Sequence, residues 1–337
     1  MKHYVVVLFL AAASLKAAAT GSKLRLEASL DAMGSVFSVV LYGPDKRRLE
    51  AAADEAFEEV RRLDVLLSNY RPSSEWSKVN RLAASEPVRV SSELFELLSA
   101  CQDYSRRSEG AFDITVGPLM KVWGFYKGSG RLPHRAEVHG ALTKVGYRNL
   151  ELDRAASTVR FTKPGMEIDP GGIGKGYAVD RLVEVLKRYG VDSALVSAGG
   201  SSIYALGTPP DEPGWRVKIR DPRKTEQGIE EVVLKNQSMS TSGTYEKFFT
   251  AEGKLYSHIM DPRTGWPAPN MYSVSVIAPR ALDSEAWTKP VFINGRQWAA
   301  GHLPEGFRAF LCEDTGSRSG RASFGIVRTE SKCAWLQ

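Results

Sequence analysis

Cysteine is scarce in this 337-residue chain, and the three present have neither metal-ligand spacing nor a C-x-x-C pair. A zinc ribbon and a thioredoxin-like redox centre are thereby excluded. Long apolar runs are also lacking: after Ser14 no segment is long enough to span a bilayer. Excess charge of one sign is small, +6 from 45 basic and 39 acidic residues. The pairs Arg47-Arg48, Arg61-Arg62 and Arg106-Arg107 are scattered and have no interleaved aromatics, so no nucleic-acid partner is expected. No serine-, glycine- or proline-rich linker divides the chain, which favours one mixed α/β domain over two independent ones. Both standard phosphate motifs are missing. G-x-x-x-x-G-K-[ST] fails because Gly176 follows Lys175 and Asp169 stands five before Gly174, and G-x-G-x-x-G fails at Tyr177.

What is present starts at the N-terminus. Lys2 and His3 precede an apolar run from Tyr4 to Ser14, and Ala17-Ala18-Ala19 supplies an A-x-A cleavage site. This predicts a signal peptide over 1–19 and an exported mature chain that does not span the membrane. In an oxidising compartment Cys312 and Cys333 are able to pair. Cys101 falls in the apolar pattern Leu94, Leu97, Leu98, Cys101, Tyr104 and is expected in the core.

Glycine is concentrated in Ile168-Asp169-Pro170-Gly171-Gly172-Ile173-Gly174-Lys175-Gly176. Helical spacing follows at Val179, Leu182, Val183 and Leu186. A glycine loop feeding a helix start lets the backbone approach an anion, and Lys175 adds a point charge. An ordinary tight turn has the same spelling. The second dense cluster is Ser257 to Gly265. His258 is a candidate general base, with Asp261 as its orienter or a metal ligand and Arg263 beside them. An Asp-Pro turn with a core histidine fits the same letters. Thr241-Ser242-Gly243 offers hydroxyls at a turn.

Periodicity predicts helices over Lys46–Leu67, 74–80 with Ser73 or Ser74 as cap, and 92–109 with Ser91 as cap. Strands are expected near 24–30, 37–42, 150–152, 158–161, 193–197, 203–206, 215–220, 231–235, 238–241, 247–250, 257–260 and 273–278. The polar segment 127–139 reads as a surface loop.

Taken in order, eight pieces resemble the ApbE family, the FAD:protein FMN transferases. They are Met33-Gly34-Ser35; Ser68-x-Tyr70 with Ser74-Glu75 and Asn80; Phe112 to Leu119; Trp123-Gly124-Phe125; Ile168 to Asp180; Ala198-Gly199-Gly200; Thr241-Ser242-Gly243-x-Tyr245; and His258 to Gly265. The resemblance implies an α+β, ApbE/T-fold-like, two-lobed single domain over 20–316 with FAD in the inter-lobe cleft, followed by a tail, 317–337, that matches nothing. It implies that FAD is cleaved with magnesium and that FMN passes to a threonine or serine of an acceptor protein, typically a membrane redox subunit, with AMP released. It assigns Met33, Tyr70, Asp113, Gly171, Gly172, Lys175, Thr241, Ser242, Gly243 and His258 to FAD. Catalysis is assigned to His258, Asp261 and Arg263, and the metal to the Gly174 carbonyl and Glu285, with Asp283 as a spare carboxylate.

Departures from the family pattern gather near the C-terminus. Against D-A-L-[AS]-T-A-L-F-V-L-G the chain reads Glu285-Ala286-Trp287-Thr288-Lys289-Pro290-Val291-Phe292-Ile293-Asn294-Gly295. Glutamate replaces the aspartate, and Lys289 stands where a metal-binding threonine does. Ser201-Ser202 replaces an Asn or Asp, and Thr244 stands where Asp is common. Two other functions therefore compete with transfer: FAD binding without chemistry, and hydrolysis of FAD to FMN and AMP.

Overall fold

The computed structural model describes residues 23–128, 130–318 and 329–336. The expected signal peptide lies outside the described residues, as does part of the expected tail. Two compact units are formed, each from separate stretches of chain.

The first unit takes residues up to Asp64, Gly174–Ser240 and Ile277–Ser284. Alternating apolar residues make Leu24–Ala32 and Ser35–Gly43 a hairpin, in register from Leu24↔Gly43 to Ala32↔Ser35. Its two-residue turn is Met33-Gly34, with φ of 52° and 66°. Two positive φ values match the twist of a tight hairpin; glycine adopts them freely, whereas Met33 is forced there. Ser35–Gly43 pairs antiparallel with Ser193–Ala198, that strand with Ser202–Leu206, and that in turn with Gln237–Gly243. The helix Gly174–Arg188 buries Ala178, Val179, Leu182, Val183 and Leu186 and packs on the strands Ser193–Ala198 and Ser202–Leu206. The helix Lys46–Leu67 buries Leu49, Ala53, Ala56, Phe57, Val60 and Leu63 at helical spacing. Its Glu59 meets Arg181 at 3.1 Å.

The second unit takes Val65–Ile173, Thr241–Val276 and Glu285–Gln337. A three-stranded sheet has the order Val88–Arg89, Thr158–Phe161, Leu150–Asp153. Helices Glu75–Leu82 and Ser92–Arg107 begin at Ser74 and Ser91, whose side chains accept from the N–H groups of Ser77 and Leu94. Leu119, Trp123, Phe125, Val138, Ala141 and Met260 form a buried cluster. The strands Arg308–Arg318 and Thr329–Trp335 pair antiparallel with Cys312 opposite Cys333, and these two cysteines form a disulfide. Cys101 is buried and free. Among the described residues no helix is long and apolar enough to cross a membrane.

Three local expectations change. Residues 127–139 are not all loop: Arg135–Leu142 is a helix, started by Glu137 reaching back to the His134 N–H at 2.8 Å. Its short apolar face and Gly140 gave little periodic signal. The helix expected to reach 109 stops at Arg107, because Glu109 and Gly110 turn left-handed at φ 56° and 79°. The strand expected at 257–260 ends at Ser257, ahead of a turn in which the Asp261 carbonyl accepts from the Gly265 N–H.

The helix Ala281–His302 is interrupted at Gly295, where φ is 76°. Its first N–H groups have no partner inside the helix, and Asp180 supplies one. The Asp180 carboxylate accepts from Ala281 N at 2.7 Å and Leu282 N at 2.9 Å. Burial still pushes its carboxyl up to about 6, against these bonds. The folded value lies above the unfolded one, so Asp180 favours folding most at low pH, and this contribution is lost as pH rises from about 4 to about 6. Urea titrations of wild type and Asp180→Asn across that window should show wild type losing up to about 3 kcal/mol relative to the variant, then a constant gap above it.

Candidate functional site

The glycine loop is pinned at its entry by side chains from four distant positions. Asn80 grips Ile168 at both backbone groups, accepting from its N–H at 2.7 Å and donating to its carbonyl at 2.9 Å. Trp76 Nε1 donates to the same carbonyl at 3.0 Å. The next residue, Asp169, is buried. Its Oδ2 accepts from Tyr126 Oη at 2.6 Å and Asn69 Nδ2 at 3.0 Å, and its Oδ1 accepts from Gly171 N at 2.7 Å. Burial raises the Asp169 carboxyl above its ordinary range, and these donors oppose the rise. Gly171 has no room for a side chain, since a Cβ would sit 2.7 Å from Asp169 Oδ1. A Cβ on Gly172 would stand 3.4 Å from Lys289 Cε and 3.6 Å from Phe112 Cε2. Its bare backbone therefore lies along the lysine stem.

Beyond the loop, Gly174 opens the helix of the first unit, and Lys175 occupies its first turn. The Lys175 ammonium donates to Ser201 Oγ. Ser201 closes the Gly199-Gly200 turn, where Gly199 at φ 61° lies against Ser35 and donates its N–H to the Val36 carbonyl at 2.8 Å. Met33-Gly34-Ser35, Ala198-Gly199-Gly200 and Lys175 thus belong to one neighbourhood of that unit. In the second unit Tyr70 is 75% exposed and meets Tyr126 edge-on at 6.3 Å. It offers an aromatic face beside the Asp169 network.

Asp113 points into the protein. Its carboxylate accepts from the Thr115 N–H and hydroxyl and from Tyr147 N, at 2.8, 2.7 and 2.7 Å, and burial pushes it up to about 6. Its effect on the loop is indirect, because the neighbouring Ile114 carbonyl accepts from Asp169 N at 2.7 Å. Thr241 bonds Ser275 and Ser242 bonds Thr288, at 2.7 and 2.8 Å. The position of a Cβ on Gly243 is filled by the Tyr245 ring.

His258 is oriented by backbone. Its Nδ1 faces the Lys247 carbonyl at 3.0 Å. A ring nitrogen facing a carbonyl carries the proton, which makes Nε2 the basic one. Asp261 instead holds Arg263, accepting from its Nε at 2.8 Å, its Nη2 at 3.0 Å and its N–H at 2.9 Å. The same guanidinium reaches Asn294 Oδ1 at 2.8 Å. Trp123 Nε1 donates to the Gly265 carbonyl at 2.9 Å and ties this turn to the buried cluster.

The two carboxylates expected to hold a metal are each met by a basic side chain instead. Glu285 is 3% exposed. The Lys289 ammonium lies 3.9 Å from its Oε1 and donates to its carbonyl at 2.9 Å. Thr288 donates to the same carbonyl at 2.7 Å. Asp283, two residues back and so on another face of the helix, is held by Arg280 at 2.7 and 2.8 Å. Among the described residues no three acidic, histidine or cysteine side chains are gathered as for a metal. Magnesium wants near-octahedral oxygens. Here a divalent ion on Glu285 would face an ammonium a few ångströms away, where even two unit charges repel by about 4 kcal/mol at an effective dielectric near 20.

A family model described as the ApbE family matches residues 33–310. The chain belongs to the ApbE family. Among its relatives, the FAD:protein FMN transferase of Klebsiella pneumoniae strain 342 is 35% identical over 264 residues, 77% of this chain and 79% of that protein. That of Treponema pallidum strain Nichols is 35% identical over 297 residues, 83% and 81% of the two chains. The ApbE protein of Thermotoga maritima superposes with a TM-score of 0.79 at 31% identity, covering 86% of this chain and 94% of that one.

Asn69, Tyr126 and Asp169 form a network that sequence reading did not single out. The only local signal was a carboxylate directly before Pro170 and the glycine pair. Asn80→Ala would leave the Ile168 N–H and carbonyl without their side-chain partner. An unfolding loss of roughly 2–4 kcal/mol is expected by urea titration, from two buried groups at about 1–3 kcal/mol each, partly relieved by Trp76.

Proposed function

We propose that this ApbE-family chain is an FAD:protein FMN transferase. The observation that carries the reading is the glycine loop, fixed by Asp169 and leading into a helix N-terminus with Lys175 in its first turn. Such a backbone suits a pyrophosphate, since helix-start N–H groups favour anions and Lys175 adds an ammonium. Tyr70 provides an exposed stacking face beside the Asp169 network. In the reaction, the hydroxyl oxygen of an acceptor threonine or serine attacks the FMN phosphorus, and the bond to the bridging oxygen breaks. AMP leaves with that oxygen. The proton of the hydroxyl goes to His258 Nε2, which the Lys247 carbonyl keeps basic. Arg263, fixed by Asp261, shapes the turn that carries His258.

Export is part of the proposal, supported by the leader-like residues 1–19 and by the Cys312–Cys333 disulfide, a bond of oxidising compartments. The acceptor is read as a flavin-bearing subunit of a membrane redox complex. The family's magnesium dependence is the one element that the donor set around Glu285 does not support. Ligand binding without transfer is the second reading, and the Glu285–Lys289 pair is what favours it.

One incubation separates these readings: full chain, FAD and a threonine-bearing acceptor domain, with and without magnesium chloride. Covalent flavin fluorescence on the denatured acceptor means transfer, free FMN means hydrolysis, and intact FAD retained on the chain means binding alone. Transfer is the expected result. In the same assay His258→Ala should lower turnover by about 10²–10⁴-fold, the range of a general base. Lys175→Ala should instead weaken FAD binding by about 1.5–3 kcal/mol, read by flavin quenching.

A further inference from the structure

Lys289 and Glu285 are a pair with unequal access. The glutamate side chain is 4% exposed and the lysine side chain 20%. The carboxylate is covered, while the ammonium keeps a face to solvent. Four residues apart on one helix, the two charges sit at 3.9 Å, and the ammonium is also anchored on the Glu285 carbonyl. The lysine stem meanwhile runs beside Gly172, the one loop glycine whose missing side chain opens towards it. Of the two charges, the ammonium is the one with a face to solvent, and its stem is what lies nearest Gly172. Glu285 then serves as the counter-charge that holds Lys289 in place before a ligand arrives.

We infer that the Lys289 ammonium supplies the fixed positive charge for a ligand's pyrophosphate at Gly172, so that this chain binds FAD without a divalent cation. The identity of the ligand rests on the transferase reading; the replacement of a metal by Lys289 rests on the geometry of Gly172, Glu285 and Lys289.

The test is FAD titration of the purified full chain by flavin fluorescence, in excess EDTA and in millimolar magnesium chloride. The expected dissociation constants for wild type agree within about 3-fold in the two buffers, a difference of about 0.65 kcal/mol. Lys289→Thr, which restores a hydroxyl and removes the charge, should weaken binding in EDTA by about 10- to 100-fold, the range of one charge-assisted contact, while Lys289→Arg stays close to wild type. Calorimetry should detect no saturable magnesium heat on the wild-type chain with FAD present. FAD binding by wild type only when magnesium is added would overturn the inference and leave the transferase reading standing. Unchanged affinity of Lys289→Thr in EDTA would also overturn it. Absence of FAD binding in both buffers would overturn the inference and the transferase reading together.

Discussion

A buried carboxylate is costly unless its lone pairs are met, and Asp169 turns that cost into geometry. Its oxygens accept from Tyr126, Asn69 and the Gly171 N–H, so the first turn of the glycine loop has one low-energy arrangement. Loosening any donor leaves part of a charge unsatisfied in the core, which makes the network cooperative. Loops with this much glycine lose much backbone entropy on ordering, about 1–2 kcal/mol per residue. The clamp on Ile168 and the Asp169 bonds offset that cost within the protein itself. Preorganisation of this kind is what phosphoryl chemistry needs from a protein, because the protein contributes position and charge more than covalent steps.

The same device recurs in the acidic residues of the interior. Asp113 fixes Thr115 and Tyr147, and through Ile114 the backbone that receives Asp169 N. Asp180 caps Ala281 and Leu282, setting the start of the helix that carries Glu285 and Lys289. Each carboxylate is spent on backbone N–H groups at the edge of an element, where helix or strand bonding runs out. Burial favours the neutral form of Asp113, Asp169 and Asp180, and the N–H donors favour the charged form. Folded stability and loop geometry are therefore tied to the same few groups.

Local order was legible in the residues, and long-range partnership was not. The helix Lys46–Leu67, the caps Ser74 and Ser91, and the glycine loop with its following helix all announce themselves within one or two turns of chain. Asn69 and Tyr126 reach Asp169 across 100 and 43 residues, and no spacing rule connects them. Asp113 was expected against the ligand, yet a carboxylate spelled Asp-x-Thr is equally suited to closing its own turn. Arg135–Leu142 was read as loop because its start depends on Glu137 reaching back to His134, a side-chain bond that hydropathy does not register.

The cluster from His258 to Gly265 shows how dense spelling and function part company. Its carboxylate and guanidinium are neighbours in sequence and partners in space, so Asp261 is already occupied by Arg263. Orientation of the imidazole falls to a main-chain carbonyl eleven residues away. A carbonyl can only accept, so it fixes the tautomer of His258 with the proton on Nδ1. Placing the charge pair in the turn and leaving the imidazole to the backbone separates two tasks that the sequence lists together: Asp261 and Arg263 hold the turn, and the Lys247 carbonyl orients His258.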